Sequence, residues 1–173
     1  MTSVKIETNH GNILFNLLPE LAPEHVRNFV KLANDGFYDG TLFHRVIPGF
    51  MIQGGDPNTK DPNMKEKWGQ GGPGYTINQE FNSRSHLRGI VSMARATDPN
   101  SAGSQFFIMH QDNAQLDEAG YSVFGEVTEG MDVVDKITEL PRDLVKDYRT
   151  GEEVEGECPS GEGAKMIKVT ISE

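Results

Sequence analysis

The sequence of residues 43–56 is Phe-His-Arg-Val-Ile-Pro-Gly-Phe-Met-Ile-Gln-Gly-Gly-Asp, and it places two short apolar runs on either side of a Pro-Gly pair. This pattern predicts two β-strands, residues 43–47 and 50–54, joined by a turn. One cation and one amide, Arg45 and Gln53, occupy strand positions in these runs. Because side chains alternate between the two faces of a strand, each shares its face with large apolar groups. The segment therefore predicts either polar side chains that face solvent or an apolar hollow that holds a fixed cation.

Short runs of the same kind recur along the whole chain. Each is rich in β-branched, aromatic or other apolar residues and is bounded by Gly, Pro, Asn or Asp. The further predicted strands are residues 4–8, 13–17, 90–94, 105–109, 123–127 and 166–171. Most connections are too short for parallel crossovers, so we expect an antiparallel sheet. Eight antiparallel strands can close into a barrel whose interior is filled by side chains, which would place a functional site on the outside.

Two segments have the apolar spacing of amphipathic helices. After Pro23, apolar residues recur three and four positions apart, and Gly36 is placed to end the helix. A shorter apolar stripe at Met131, Val134 and Ile137 predicts a second helix. The expected fold class is therefore mainly β, with two α-helices.

The composition is that of one globular domain, which we expect to comprise residues 1–173. Hydrophobic residues make up 36 % of the 173 positions and charged residues 24 %, which is polar but not disordered. There are 16 Lys and Arg against 26 Asp and Glu, so the net charge is −10. This charge repels phosphate backbones and anionic membrane surfaces, so we expect neither nucleic acid nor a membrane as a partner.

The start of the sequence and the cysteine content bear on the compartment. The N-terminal residues run directly into the first alternating strand, without a basic segment followed by an apolar one, and nowhere do about 18 apolar residues follow one another. The single cysteine, Cys158, predicts neither an internal disulfide nor a zinc cluster. We therefore expect a cytoplasmic protein.

The common motifs of bond-breaking chemistry are missing. The glycines between residues 69 and 74 are not followed by the Lys-Ser/Thr of a phosphate-binding loop, and the five histidines lack the spacing of metal ligands. Ser104 lies in Ala-Gly-Ser-Gln-Phe, which lacks the second glycine of a nucleophile elbow. Hydrolysis through Ser104 is therefore the weakest of the alternatives, and we expect no cofactor and no metal.

Two segments lack any periodicity. Residues 56–78 form a connection much longer than usual, and such loops are commonly functional or mobile. Residues 151–163 carry five glutamates and no basic residue, which predicts a solvated surface loop.

Four blocks of the sequence occur together in an order and spacing typical of one enzyme family. They are residues 43–56, Ser-Met-Ala-Arg at 92–95, Gly-Ser-Gln-Phe-Phe-Ile at 103–108 and Val-Phe-Gly-Glu-Val at 123–127. With these blocks the chain strongly resembles the cyclophilin family of peptidyl-prolyl cis-trans isomerases over nearly its whole length. The resemblance implies a closed eight-stranded antiparallel β-barrel capped by two α-helices. It also implies an enzyme that rotates Xaa-Pro peptide bonds and assists protein folding.

The resemblance also implies roles for individual residues. Arg45 would be the catalytic arginine, with Gln53 as its polar partner. An apolar pocket would hold the proline ring of the substrate, and a groove beside it would hold the peptide backbone. The pocket residues are Phe50, Met51, Phe107 and Leu116 with Tyr121 beside them, and the groove residues are Ala94, Arg95 and Gln105.

Three positions depart from the pattern common in the family. Gln115 stands where many members have a tryptophan that helps to bind the cyclic peptide cyclosporin, so we expect weak cyclosporin binding at most. Tyr121 stands where many have histidine, and it can still pack on a proline and donate a hydrogen bond. Arg95 stands where asparagine is common, and it adds a positive charge beside the groove.

The reaction suits these residue types because no bond is broken. Rotation about an Xaa-Pro bond meets a barrier of about 20 kcal/mol, since amide resonance is lost in the twisted state. The prolyl nitrogen then regains a lone pair, so a donor aimed at it binds the transition state better than the ground state. Arg45 offers a planar, permanently charged donor, for which lysine is expected to be a poor replacement.

The expected partners are proline-containing peptides and unfolded or flexible protein segments, and the chain is expected to be a monomer. One alternative is a binding module for such peptides in which isomerisation is incidental. The neighbours Phe106 and Phe107 point to opposite faces of their strand, and we assign Phe106 to the core.

Overall fold

The first hairpin shows how alternation builds the sheet. The computed structural model describes residues 1–173, and in it β1 (Ser3–Thr8) pairs antiparallel with β2 (Gly11–Leu17). Val4 and Ile6 are buried, whereas Lys5 between them is exposed. The hairpin therefore covers the core with one face and meets solvent with the other.

Eight strands form one antiparallel sheet, and two further strands form a separate hairpin. After β1 and β2 the strands are β3 (Arg45–Ile47), β4 (Met51–Gly54), β5 (Ile90–Met93), β6 (Phe106–Met109), β7 (Val123–Glu129), β8 (Arg142–Lys146), β9 (Glu153–Pro159) and β10 (Met166–Ser172). Along the sheet the strands lie in the order β10, β1, β2, β7, β5, β6, β4, β3, while β8 pairs only with β9.

The two outer strands of the sheet, β3 and β10, are joined by irregular backbone. The Phe43 N–H donates to the Ala164 carbonyl at 2.9 Å, and the Met166 N–H donates to the Thr41 carbonyl at 2.8 Å. These bonds satisfy backbone groups that would otherwise be exposed at the two edges. The predicted eight-stranded antiparallel barrel is confirmed, and it takes the form of a curled sheet with an irregular seam.

Both predicted helices are present, and a third, short one was not predicted. They are α1 (Pro23–Asn34), α2 (Gln115–Ala119) and α3 (Met131–Thr138). Proline occupies the first turn of α1, where no helical N–H bond is lost. No helix in the structure combines the length and apolar character needed to cross a membrane.

Aromatic rings pack against one another in the interior of the curled sheet. The ring centroid of Phe29 on α1 lies 5.4 Å from that of Phe106 and 5.6 Å from that of Phe15, both at steep angles. Edge-to-face contacts of this kind are favoured by the charge distribution of aromatic rings. Phe106 is fully buried among them, which confirms its assignment to the core.

A second, smaller cluster of buried side chains lies on the other face of the central strands. Along β6, Phe106 and Ile108 belong to the large core, whereas Phe107 and Met109 belong to this cluster. The full set is Met51, Ile90, Phe107, Met109 and Val123. Alternation along one strand thus supplies both the core and an apolar platform on the outside of the sheet.

The long segment 56–78 is ordered around one carboxylate. It contains two 3₁₀ helices, Pro57–Lys60 and Pro62–Lys67. The fully buried Asp56 accepts hydrogen bonds from the Asn58 N–H at 2.8 Å and the Gly71 N–H at 3.2 Å. A Cβ at Gly71 would lie 2.1 Å from an oxygen of Asp56, so only glycine permits this approach.

The prediction for residues 151–163 was wrong in part. Residues 153–159 do not form a solvated loop; they form β9, which pairs antiparallel with β8. The glutamates of this segment alternate with Val154, Gly156 and Cys158, which is the period of a strand, and their side chains stay exposed. The β8–β9 hairpin packs against β3, the strand that carries Arg45.

Candidate active site

A small cavity opens on the outside of the sheet, above the second cluster of buried side chains. It has a volume of about 110 Å³, well below the size of a typical site for a whole small-molecule ligand, so it suits a single side chain. The lining residues are Arg45, Phe50, Met51, Gln53, Ala94, Arg95, Phe107, Leu116 and Tyr121. The structure thus brings these sequence-predicted residues together, and Gln105 borders the adjoining groove.

The floor of the cavity is aromatic. The rings of Phe107 and Tyr121 meet edge to face, with centroids 5.6 Å apart. Phe107 also stacks on the His86 ring, with centroids 6.0 Å apart, and His86 in turn meets Tyr121 at 6.2 Å. Phe107 is only 5 % exposed, so its position is fixed by packing.

The short helix α2 supplies Leu116 to one wall and is fastened through the next residue. Asp117 accepts two hydrogen bonds from His86, one from the ring Nδ1 at 2.8 Å and one from the backbone N–H at 2.7 Å. These bonds hold the pKa of Asp117 below its usual value. The remaining ring nitrogen, Nε2, lies 3.0 Å from the Ser92 hydroxyl. A buried polar contact thus positions an apolar wall of the cavity.

The polar side of the cavity is a chain of hydrogen bonds that begins at Arg45. Arg45 and Gln53 are direct partners across β3 and β4, so their side chains lie on the same face. The Arg45 Nη1 lies 3.4 Å from the Gln53 Oε1, which is a long contact. The Gln53 amide then donates to the Gln105 Oε1 at 3.0 Å, and the Gln105 amide donates to the carbonyls of Gly69 and Gly71. This chain links the arginine to the ordered segment 56–78.

A second contact to Arg45 was not predicted. The Nε of Arg45 donates to the Oε1 of Glu157 on β9 at 3.0 Å. Both side chains are partly exposed, at 44 % for Arg45 and 54 % for Glu157. Apart from the long contact to Gln53, the Nη1 and Nη2 groups make no hydrogen bond to the protein. The guanidinium therefore lies at the cavity with Nη2 free and with Nη1 held only by the long contact to Gln53.

The predicted groove lies beside the cavity and shares residues with it. It has a volume of about 420 Å³ and is bordered by Ala94, Arg95 and Gln105 as well as by residues 69–76. The Arg95 guanidinium donates to the carbonyls of Ala119 and Gly120 and lies 4.8 Å from the centre of the Tyr121 ring.

Arg95 is therefore a bridge between the groove and the end of α2. Its donors are engaged by backbone carbonyls and by an aromatic face. The sequence predicted its place at the groove but not this bridging contact.

The serine considered for hydrolysis is structural. Ser104 is 1 % exposed, and its hydroxyl donates to the Gly55 carbonyl at 2.8 Å. No histidine ring contacts this hydroxyl, so Ser104 lacks the general base that serine nucleophiles need. His44 is also buried, and burial holds its pKa below the usual value.

Comparison with known proteins gives consistent results. Residues 3–155 match the family model described as cyclophilin type peptidyl-prolyl cis-trans isomerase. The chain is 46 % identical over 156 residues to peptidyl-prolyl cis-trans isomerase A of Dickeya dadantii, covering 86 % of this chain and 77 % of that protein. It is 44 % identical over 143 residues to peptidyl-prolyl cis-trans isomerase B of Escherichia coli, covering 78 % and 82 %.

The fold is shared with a solved structure. A crystal structure of a cyclophilin type peptidyl-prolyl cis-trans isomerase from Cryptosporidium parvum, in the presence of the dipeptide Ala-Pro, superposes with a TM-score of 0.81. The sequence identity is 31 %, and the match covers 99 % of each chain. The family model spans most of the chain, the relatives match over most of their own length, and the fold agrees throughout. This chain therefore belongs to the cyclophilin family and is a peptidyl-prolyl cis-trans isomerase.

Proposed function

We propose that the reaction takes place at the cavity beside Arg45, with the proline ring of the substrate in the cavity and the guanidinium directed at the prolyl nitrogen. The observation that carries this proposal is the position of a charged planar donor at the edge of an apolar cavity of about 110 Å³, with Nη2 free and Nη1 in only a long contact to Gln53. No other arginine lines this cavity with unengaged terminal donors, because those of Arg95 bind carbonyls.

The donor acts on the step that limits the uncatalysed reaction. Twisting the Xaa-Pro bond removes amide resonance and makes the prolyl nitrogen pyramidal, with a free lone pair. A hydrogen bond from Arg45 to this lone pair exists only in the twisted state, so it lowers the barrier without tightening ground-state binding. A charge-assisted hydrogen bond contributes about 1.5 to 3 kcal/mol, or roughly a ten- to hundredfold rate increase.

The apolar walls supply a further part of the rate increase. Phe107, Leu116 and Tyr121 would hold the proline ring so that only the acyl side rotates. They would also exclude water from the planar amide, whose polar resonance form water stabilises. The groove bordered by Gln105 would bind the backbone on the side preceding proline, where an extended peptide has free donors and acceptors.

The proposed substrates are exposed Xaa-Pro bonds in unfolded or flexible segments. The Cryptosporidium relative was crystallised in the presence of an Ala-Pro dipeptide, and a cavity of about 110 Å³ would suit a single proline ring. Such bonds isomerise slowly during folding, so the function in the cell would be to assist folding. We propose that the protein acts in the cytoplasm as a monomer of one domain.

The test is to measure exchange at the Ala-Pro bond of a short peptide by NMR, with wild type and with Arg45→Ala. We expect the variant to exchange the bond roughly ten- to hundredfold more slowly, while its affinity for the peptide stays within about threefold. Arg27→Ala is the matched control, because Arg27 is an exposed arginine on α1 remote from the cavity and paired with Glu24.

Two results would contradict the proposal. If Arg45→Ala exchanges the bond as fast as wild type, the donor has been assigned to the wrong residue. If wild type binds the peptide at the cavity without accelerating exchange, the cavity is a binding module for proline peptides.

A further inference from the structure

The β8–β9 hairpin ends beside the cavity and is fixed at several points. The Nε of Arg142 on β8 donates to the Gly156 carbonyl at 2.8 Å, and its guanidinium pairs with Glu155 at 3.0 Å. Asp143 on the same strand pairs with Lys65 from the ordered segment 56–78. This hydrogen bond holds the pKa of Asp143 below its usual value, so the pair is charged at neutral pH. The hairpin is therefore held both internally and to the body of the protein.

Glu157 is the point at which this hairpin contacts the catalytic arginine. Its Oε1 accepts from the Nε of Arg45 at 3.0 Å, across 112 residues of sequence. The contact uses one carboxylate oxygen and one guanidinium nitrogen, rather than the bidentate arrangement that would occupy both Nη groups. The carboxylate thus restrains the guanidinium through Nε and leaves Nη2 free.

The proposed isomerase reaction requires the direction of the Arg45 guanidinium to be restrained. Strand β3 is only three residues long, and Arg45 is partly exposed, so its flexible side chain has many accessible rotamers. Gln53 alone restrains it weakly, because that contact is 3.4 Å long. A donor that must meet a lone pair in the twisted state is more effective when its direction is set in advance.

We infer that Glu157, on the β8–β9 hairpin, is a positioning residue that orients Arg45 for the isomerase reaction. This inference rests on the proposed role of Arg45. It makes the hairpin part of the catalytic apparatus, although the hairpin belongs to neither the barrel sheet nor the cavity wall.

The test is a double-mutant cycle that measures kcat and KM on a peptide with one Ala-Pro bond. Glu157→Ala is expected to lower kcat about three- to fivefold and to leave KM within about twofold, a size consistent with a partly exposed ion pair. Glu157→Gln is expected to recover at least half of the lost kcat, because its amide oxygen still accepts from Nε. In the Arg45→Ala background, Glu157→Ala is expected to have no further effect on kcat.

A control and a spectroscopic measurement accompany the cycle. Glu153→Ala removes the same charge from the same strand without touching an arginine, and it should leave kcat unchanged. The Nε–H signal of Arg45, identified by its loss in Arg45→Ala, should be slow to exchange with water in wild type and Glu157→Gln. It should exchange rapidly in Glu157→Ala.

The outcomes separate this inference from the proposed function. A wild-type or increased kcat in Glu157→Ala, with Arg45→Ala still impaired, would overturn the positioning role alone, and an increase would show that the contact inhibits the enzyme. A loss of kcat in Glu157→Ala that persists in the Arg45→Ala background would also overturn it, because Glu157 would then act by another route. A wild-type rate in Arg45→Ala itself would instead refute the proposed function.

Discussion

At the scale of single residues, the cavity depends on side chains whose neighbours fix their direction. Tyr121 meets Phe107 edge to face, and the Arg95 guanidinium lies 4.8 Å from the centre of its ring. Its hydroxyl makes no hydrogen bond to the protein, so its part in the cavity is packing rather than hydrogen bonding within the fold.

Substitutions of Tyr121 therefore test whether its ring contributes to substrate binding by packing or its hydroxyl by hydrogen bonding. Tyr121→Phe keeps the ring and should leave kcat/KM within about twofold of wild type. Tyr121→Ala should raise KM about tenfold, because about 1 to 2 kcal/mol of aromatic contact with the proline is lost. Steady-state kinetics on an Ala-Pro peptide would measure both, and a large loss in Tyr121→Phe would show that the hydroxyl binds substrate.

The sequence and the resemblance it carries identified all nine residues that line the cavity but not all of their contacts. Arg45, Gln53 and Phe107 were predictable because alternation along short strands and a recognisable motif both apply to them. The contact between Arg45 and Glu157 was not, since it joins positions 112 residues apart and no local pattern reports such a pairing. The same holds for the carbonyls that engage Arg95.

At the scale of secondary-structure elements, short segments beside the sheet place the walls of the cavity. Helix α2 has five residues, too few to be stable alone, and depends on its contacts with the rest of the protein. The two bonds from His86 to Asp117 are one polar part of those contacts, and the bonds from Arg95 to the carbonyls of Ala119 and Gly120 are another.

Removing the Asp117 carboxylate should therefore loosen the wall that carries Leu116. Asp117→Ala leaves the buried His86 N–H without its acceptor, which costs about 1 to 3 kcal/mol. We expect a lower midpoint of thermal unfolding and a KM raised severalfold, with kcat less affected. Glu118→Ala, an exposed change in the same helix, is the control. An unchanged KM in Asp117→Ala would show that the bonds from His86 do not position this wall.

The elements that could be predicted are those with an apolar face against the core. The strands of the barrel and the helices α1 and α3 have such a face, and all of them were predicted. The β8–β9 hairpin was not, because its alternation is between charged and small residues and an isolated hairpin is marginally stable by local sequence alone. Distant contacts such as Lys65 with Asp143 hold it in place.

At the scale of the whole molecule, acidic side chains are tied to partners across the chain. Hydrogen bonds from Lys65, Arg88 and His86 lower the pKa values of Asp143, Asp135 and Asp117 respectively. Burial favours the protonated form of Glu80, but hydrogen bonds from His25 and the backbone outweigh it and lower the pKa of Glu80. Several of the 26 acidic side chains are thus stabilised by local partners, while the net charge stays at −10.

These shifts set the sign of the pH dependence of stability. As the pH falls, the carboxyl groups of the unfolded chain, with pKa values near 4, bind protons before the same groups in the folded chain, whose pKa values are lower. Burial of His44 lowers its pKa and acts in the same direction below about pH 6.5. The free energy of unfolding should therefore be greatest near neutral pH and should fall as the pH decreases, most steeply below about pH 5. Urea unfolding between pH 7 and pH 3.5 measures this, and a constant or rising free energy would contradict it.

We propose that catalysis needs the directed planar donor of Arg45 and not merely a positive charge. The decisive measurement is kcat of Arg45→Lys at saturating Ala-Pro peptide. Lysine keeps the charge but replaces the planar fork by a mobile ammonium that Glu157 and Gln53 cannot orient in the same way. We expect kcat of Arg45→Lys to fall about tenfold or more, close to that of Arg45→Ala, with KM nearly unchanged. A kcat for Arg45→Lys equal to that of wild type would contradict it.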